Sequence, residues 1–235
     1  MTAITSPHNE RIKEVRRLAR RRDRDRSGRF VAEGEDLLAA ADAAGWPALE
    51  RLCAAGTGLP GTEVEPGVLD GASTLGSGTR TLAVYEQRRH PIRGPLCVYL
   101  HGVGDPGNLG AVLRAALAFG AASVVLGPGC ADPYGPKAVR ASMGAIFAVA
   151  LARGGVEDLP GERIALVPGA GDPLRGPLEA ATLLVGAERD GLPTDVVAAC
   201  DRTAHIPIGG DSLNAAMAAA VALYEATRMP GMPAP

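Results

Sequence analysis

From Leu96 onward, short apolar runs alternate with glycine-bearing loops and helical stretches, and this alternation restricts the fold more than any other feature of the chain. Apolar runs at residues 96–100 and 123–126 predict strands, with a helix over 108–119 between them that Gly120 stops. A helix over 136–145, strands at 146–151, 163–167, 183–186 and 204–208, and a closing helix over 212–227 complete the pattern. Strands that alternate with helices predict an α/β domain with a largely parallel sheet covered on both faces. Ligands of such sheets gather beyond the carboxyl ends of the strands. Three loops stand out there, after Leu100, after Val185 and after Ile206, each rich in glycine or short polar residues.

The first 95 residues read differently. Ser6 and Pro7 are placed to start a helix whose apolar residues Ile12, Val15 and Leu18 recur at helical spacing. A strand at 30–32, a helix at 35–44 closed by Gly45, and a strand at 82–85 follow. Residues 86–95 are polar, charged and twice interrupted by proline, which marks a linker. The expected division is a small α/β domain over 1–88 and a larger one over 93–235.

Charge is unevenly placed. Residues 1–30 hold ten Arg and Lys against four acids, a net +6, which leaves the other 205 residues at −8. Arg16, Arg17, Arg20, Arg21 and Arg22 form the centre of this arm and are candidate phosphate contacts. The other reading of the arm is a solvated helix face laced by its own ion pairs. Aromatic residues make up only 3% of the chain, too few for the ring platforms on which many single-strand binders stack bases. Cys53, Cys97, Cys130 and Cys200 are scattered, without a C-x-x-C pair or histidines at ligand spacing, so no metal is expected. With no targeting segment and no apolar run near the ~20 residues a membrane span needs, a cytoplasmic protein away from membranes is expected.

Three segments carry the chemistry. Gly102-Val103-Gly104-Asp105-Pro106-Gly107 matches the G-x-G-x-x-G pattern of dinucleotide-binding units. The acid that should follow the next strand is absent, because Leu126 leads into Gly127-Pro128-Gly129, and Pro106 removes an N–H from the loop. A nicotinamide-dependent oxidoreductase is therefore an alternative that this loop alone supports. The same loop runs into Asn108 and, six residues on, Arg114, a separation of about 120° around a helix. The two can flank one pocket if Asn108 still lies in the loop. The second segment is Leu183 to Leu192, where a strand ends at Gly186 and Glu188 sits in a glycine-bounded turn. The third is Ile206-Pro207-Ile208-Gly209-Gly210-Asp211-Ser212-Leu213-Asn214, which enters an alanine-rich helix with Ser212 placed as its cap.

In this order the three segments resemble the three motifs of the SpoU/TrmH branch of the SPOUT RNA methyltransferases. The resemblance extends to both flanks: Ile4-Thr5-Ser6-Pro7, the basic helix and residues 28–34 are similar to the family's substrate-binding domain, and residues 136–145 to its segment between motifs one and two. It implies a catalytic domain folded around a deep trefoil knot, a ribosomal-protein-like N-terminal domain, and a homodimer. It also implies S-adenosylmethionine as cofactor and a ribose 2′-hydroxyl of structured RNA, more often ribosomal than transfer RNA, as acceptor. Carried over by motif, Gly186, Ile206 and Leu213 contact the cofactor, while Asn108, Arg114, Glu188, Ser212 and Asn214 form the catalytic surroundings. A departure is the loop before Ser212, which is shorter than in many relatives. Within the family, the arginine at this position is often assigned the role of base. A guanidinium is effectively always charged, so gripping the adjacent phosphate and stabilising the developing alkoxide is the role its chemistry favours. A non-catalytic RNA-binding protein of the same fold is the remaining alternative.

Overall fold

A computed structural model describes residues 3–74, 78–210 and 212–228. The chain divides into two compact units, residues 1–88 with 132–148, and residues 89–131 with 149–235.

In the first unit, α1 (Glu10–Leu18) is capped by Asn9, whose side chain accepts from the Arg11 N–H at 3.0 Å. Ser6 and Pro7 form the turn before it, so the helix starts later than the sequence predicts because Asn9 satisfies an orphan donor that Ser6 cannot reach. Ile12, Val15 and Leu18 fall on one stripe, and each is buried. After α2 (Arg21–Ser27) come β1 (Arg29–Glu33), α3 (Glu35–Ala43), β2 (Glu50–Ala54), β3 (Thr62–Val64), α4 (Pro66–Asp70) and β4 (Thr81–Glu86). The strands form a mixed sheet in the order β1-β4-β2-β3, with β4 antiparallel to β1 and β2. The stripe of α1 joins Val31, Leu52, Val64, Leu82 and Val84 in one core, where each fully buried aliphatic side chain contributes roughly 1.5–3 kcal/mol.

The second unit begins with β5 (Leu96–Leu100), α5 (Pro106–Ala118) and β6 (Ser123–Leu126). The chain then supplies α6 (Pro136–Ala141) and α7 (Ala145–Ala148), which pack with the first unit. Here the structure departs from the expected single helix over 136–145 and strand from 146. Met143 and Gly144 take positive φ, 47° and 91°, and break the helix. A Cβ on Gly144 would stand 2.4 Å from the Ala40 side chain, so the approach to α3 requires glycine. Phe147 stays helical and enters an aromatic cluster with Phe30, Trp46 and Tyr85, at ring centroid distances of 6.0, 5.2 and 5.1 Å.

The larger sheet resumes with β7 (Ala150–Arg153), β8 (Glu162–Leu166), β9 (Asp172–Pro173), β10 (Ala181–Val185), α8 (Thr194–Ala198), β11 (Arg202–His205) and α9 (Ala215–Thr227). Its order is β7-β6-β5-β10-β8-β11-β9, and every pairing is parallel. Every residue of β5, β6 and β10 is buried, as the continuous apolar runs require when both faces are covered. α5 packs against α9, while Tyr99, Val125 and Leu184 meet Val196 of α8 in a second cluster. The chain steps outward through β5, β6 and β7, returns to β8, and places β10 in the slot between β5 and β8. That reversal is a topological switch point, and crevices open beside such points. At the opposite, amino end of the sheet, the Arg163 guanidinium beside Asp201 holds that carboxyl down at about 2. Among the described residues, no helix is long and apolar enough to cross a membrane.

Candidate active site at the carboxyl ends of three strands

A cavity of about 860 Å³ opens beside the switch point. Its walls are residues 166–169 at the end of β8, 185–192 at the end of β10 and 205–208 at the end of β11, with Ser212 and Leu213 before α9 and Ala215 and Ala218 in its first turn. Two of the three loops singled out by sequence meet here. The third, after β5, does not line the cavity, and the loop after β8 (Leu166, Val167, Pro168, Gly169) takes its place. Its Pro-Gly-Ala-Gly run was the available signal, but only the strand order brings it beside β10.

Gly186 is fixed by close backbone approach, since a Cβ there would lie 2.2 Å from the Gly191 carbonyl carbon. Ala187 and Gly191 exchange two backbone hydrogen bonds of 3.2 and 3.0 Å, and Gly191 takes a φ of 65°. This tight loop carries Glu188, Arg189 and Asp190 at its tip. The Asn108 side-chain amide donates to Glu188 Oε1, joining α5 to the loop across 80 positions of sequence. Asn108 is not in a loop: it lies in the first turn of α5, where Asp105 caps the helix and accepts its N–H at 2.9 Å.

Arg114 is then about 9 Å further along the helix and roughly 120° around it. It does not line the cavity. Sequence neighbours predict a covered setting for it, yet it is exposed. The buried stripe of α5 is Leu109, Val112, Leu113 and Ala116, and Arg114 falls on the other side. It has no hydrogen-bond or ion-pair partner among the described residues. Exposed Leu117 shares its outer face, and the adjoining α9 exposes Met217 and Val221.

The third segment is arranged differently from the expected cap. Asn214, not Ser212, caps α9, accepting the Met217 N–H at 2.8 Å. Ser212 lies upstream, exposed, on the cavity wall with Leu213 and Ile206. Asp211 lies outside the described residues. His205, which no motif marked, also lines the cavity.

The loop at 102–107 is built for packing. Gly102 has a φ of 69°, donates its N–H to Pro128 O at 2.9 Å, and would bring a Cβ within 3.3 Å of Ala187. Asp105 supplies its own carboxylate to the helix N-terminus, the position at which a pyrophosphate would have to bind. The basic arm is partly laced by its own contacts. Arg17 pairs with Glu10 and Arg21 with Asp25, each at 3.6 Å, and Arg16 donates to the carbonyls of Gly71 and Pro7. Arg24 is 4% exposed and ion-paired to Asp132 at 2.6 Å. Arg20 and Arg22 are exposed and have no partner among the described residues.

Residues 95–224 match the model of the SpoU rRNA methylase family, and residues 9–86 that of the MRM3-like substrate binding domain. The chain belongs to the SpoU rRNA methylase family. This methylase is 30% identical to the 23S rRNA (guanosine(2553)-2′-O)-methyltransferase RlmP of Bacillus subtilis, over 95% of this chain and 98% of the relative. It is 36% identical to the 23S rRNA (uridine(2479)-2′-O)-methyltransferase of Streptomyces viridochromogenes, over 53% of this chain and 49% of that one. The structure of an AdoMet-bound rRNA methyltransferase from Sinorhizobium meliloti superposes with a TM-score of 0.85 at 30% identity, covering 97% of each chain. The α/β fold and the SpoU/TrmH resemblance expected from sequence both hold for this methylase.

Proposed function

We propose that this chain transfers a methyl group from S-adenosylmethionine to a ribose 2′-hydroxyl of ribosomal RNA. The observation that carries the reading is the joining of three loops at the switch point into one cavity, with Glu188 at its rim held by Asn108. The activities printed for the relatives and the AdoMet-bound S. meliloti enzyme support it.

The residues present fit the cofactor. The cavity is walled by backbone-rich loops and small side chains, and an exposed carboxylate stands at its rim, complementary to a cationic ligand. When bound, S-adenosylmethionine supplies a methyl group on a positively charged sulfur. Gly186, Ile206 and Leu213 are proposed to hold it, largely through backbone groups. Asn108 orients Glu188, and Ser212 offers a hydroxyl to the acceptor side. Asn214 has its oxygen committed to the α9 cap, which leaves its amide N–H₂ to face substrate. Arg114 is proposed to grip the phosphate next to the target ribose and to stabilise the developing alkoxide as the hydroxyl proton passes to solvent water. The transfer as proposed uses a carbon electrophile and calls for no metal.

Arg114 stands away from the cavity of its own chain, on a face that exposes Leu117, Met217 and Val221. We place a homodimer contact on this α5–α9 face, which would bring Arg114 of one copy into the seam with another. Exposed apolar side chains around a single cation make a poor solvent surface and a workable interface core. A knotted path through the segments that follow β10 and β11 is part of the proposal. The proposed division of labour is RNA binding by 1–88 and transfer by 93–235, which the matches at 9–86 and 95–224 support. Arg20 and Arg22, together with Arg16, Arg17 and Arg21, provide phosphate contacts whose strength falls as salt rises. A ribosomal substrate and four unpaired thiols support a cytoplasmic site of action.

Calorimetry separates this reading from the dinucleotide alternative. S-adenosylmethionine is expected to bind one site per chain, and NAD to give no heat. Binding of NAD without S-adenosylmethionine would overturn the assignment.

A further inference from the structure

His205 closes β11 and borders the cavity, and none of the three motifs assigns it a role. Its ring is held in one arrangement. Nδ1 lies 3.1 Å from the carbonyl oxygen of Gly171, which can only accept, so Nδ1 carries the proton. The chain is shaped to make this contact. Gly171 takes a φ of 69°, and a Cβ on it would stand 2.1 Å from Thr203 O, so only glycine brings that carbonyl to the ring. The two-residue strand β9 pairs with β11 immediately beside it, and Leu174 N–H takes the His205 carbonyl at 2.8 Å. With Nδ1 and the backbone oxygen committed, Nε2 is the ring nitrogen left over, an acceptor in the Nδ1–H tautomer. It has no partner among the described residues.

An ordinary half-buried histidine at a strand end would turn its second nitrogen to water. This one stands on the wall of a cavity of about 860 Å³ with its tautomer already fixed, the way binding sites orient an imidazole. We propose that His205 is a cofactor-binding residue whose Nε2 accepts a hydrogen bond from an N–H or O–H of S-adenosylmethionine. The proposal rests on the cavity being the cofactor site. S-adenosylmethionine presents donors at its adenine amino group, its ribose hydroxyls and its ammonium group.

The test is calorimetric titration of the protein with S-adenosylmethionine at pH 8. Wild type, His205→Ala and His205→Gln are compared, with thermal unfolding to confirm that each variant is folded. His205→Ala is expected to bind about tenfold more weakly than wild type. His205→Gln returns an acceptor near the Nε2 position and is expected to bind within about threefold of wild type. The proposal is overturned if a folded His205→Ala keeps wild-type affinity, or if a folded His205→Gln binds as weakly as His205→Ala. If wild type itself fails to bind, the cavity is not a cofactor site and the functional reading falls first.

Discussion

Replacing Arg114 by alanine is expected to lower methyl transfer to RNA about 10²- to 10³-fold while leaving S-adenosylmethionine affinity within about twofold. The split follows from position: Arg114 lies outside the cavity walls, exposed, with no partner in its own chain among the described residues. Arg114→Lys keeps the charge but loses the planar fork, so it should recover only a small part of the rate. Mixing two inactive proteins gives a sharper readout. If Arg114 acts across a dimer, unfolding and refolding Arg114→Ala together with Glu188→Ala creates mixed pairs. In each such pair one site has both an intact Glu188 and the other copy's intact Arg114, and activity returns in part. If Arg114 serves its own chain, every site in the mixture lacks one of the two groups and the mixture stays inactive. That outcome would remove the proposed dimer seam.

Replacing Asp132 by alanine is expected to destabilise the protein by about 3 kcal/mol or more, among the largest single losses the structure offers outside the cores. Arg24 is 4% exposed and Asp132 14%. The guanidinium donates to Asp132 at 2.6 and 2.9 Å and to the carbonyls of Leu18 and Ala19 at 2.7 and 2.9 Å, closing the end of α1. Removing the carboxylate leaves a buried charge without its counter-ion. Urea unfolding of Asp132→Ala and of the double variant Arg24→Met/Asp132→Leu would show whether the cost comes from the pair or from the stranded charge. The double variant is expected to be the more stable of the two. A loss under about 1 kcal/mol in Asp132→Ala would mean that water already reaches the pair.

Much of this architecture was legible in the chain itself. The runs at 96–100 and 123–126 are strands with the predicted bounds, because strands buried on both faces leave an unbroken apolar signature. The loop holding Glu188 was legible because Gly186 leaves no room for a Cβ and Gly191 takes a φ of 65°, which favours glycine. What escaped depends on neighbours distant in sequence. Residues 146 and 147 look like strand until Phe147 is seen among Phe30, Trp46 and Tyr85. Arg24 reads as one more charge of the basic arm until Asp132, 108 residues away, buries it. His205 carries no local signal, because its orientation comes from the Gly171 carbonyl in the bend before β9, 34 residues away. The walls of the cavity depended on β10 entering between β5 and β8, which no periodicity encodes. Arg114 was the subtlest case. Its apolar neighbours suggested cover, yet a helix buries a stripe and not a stretch, and the arginine falls off that stripe.

Transfer itself is the most direct measurement. Ribosomal RNA lacking the modification, prepared from cells without the gene, is incubated with the protein and S-adenosylmethionine carrying a labelled methyl group, then digested with alkali. A methyl group on a ribose 2′-oxygen blocks cleavage at that linkage, so the account predicts label in an alkali-resistant dinucleotide from a single site. Label recovered in mononucleotides, on a base, or in no nucleotide at all would contradict it.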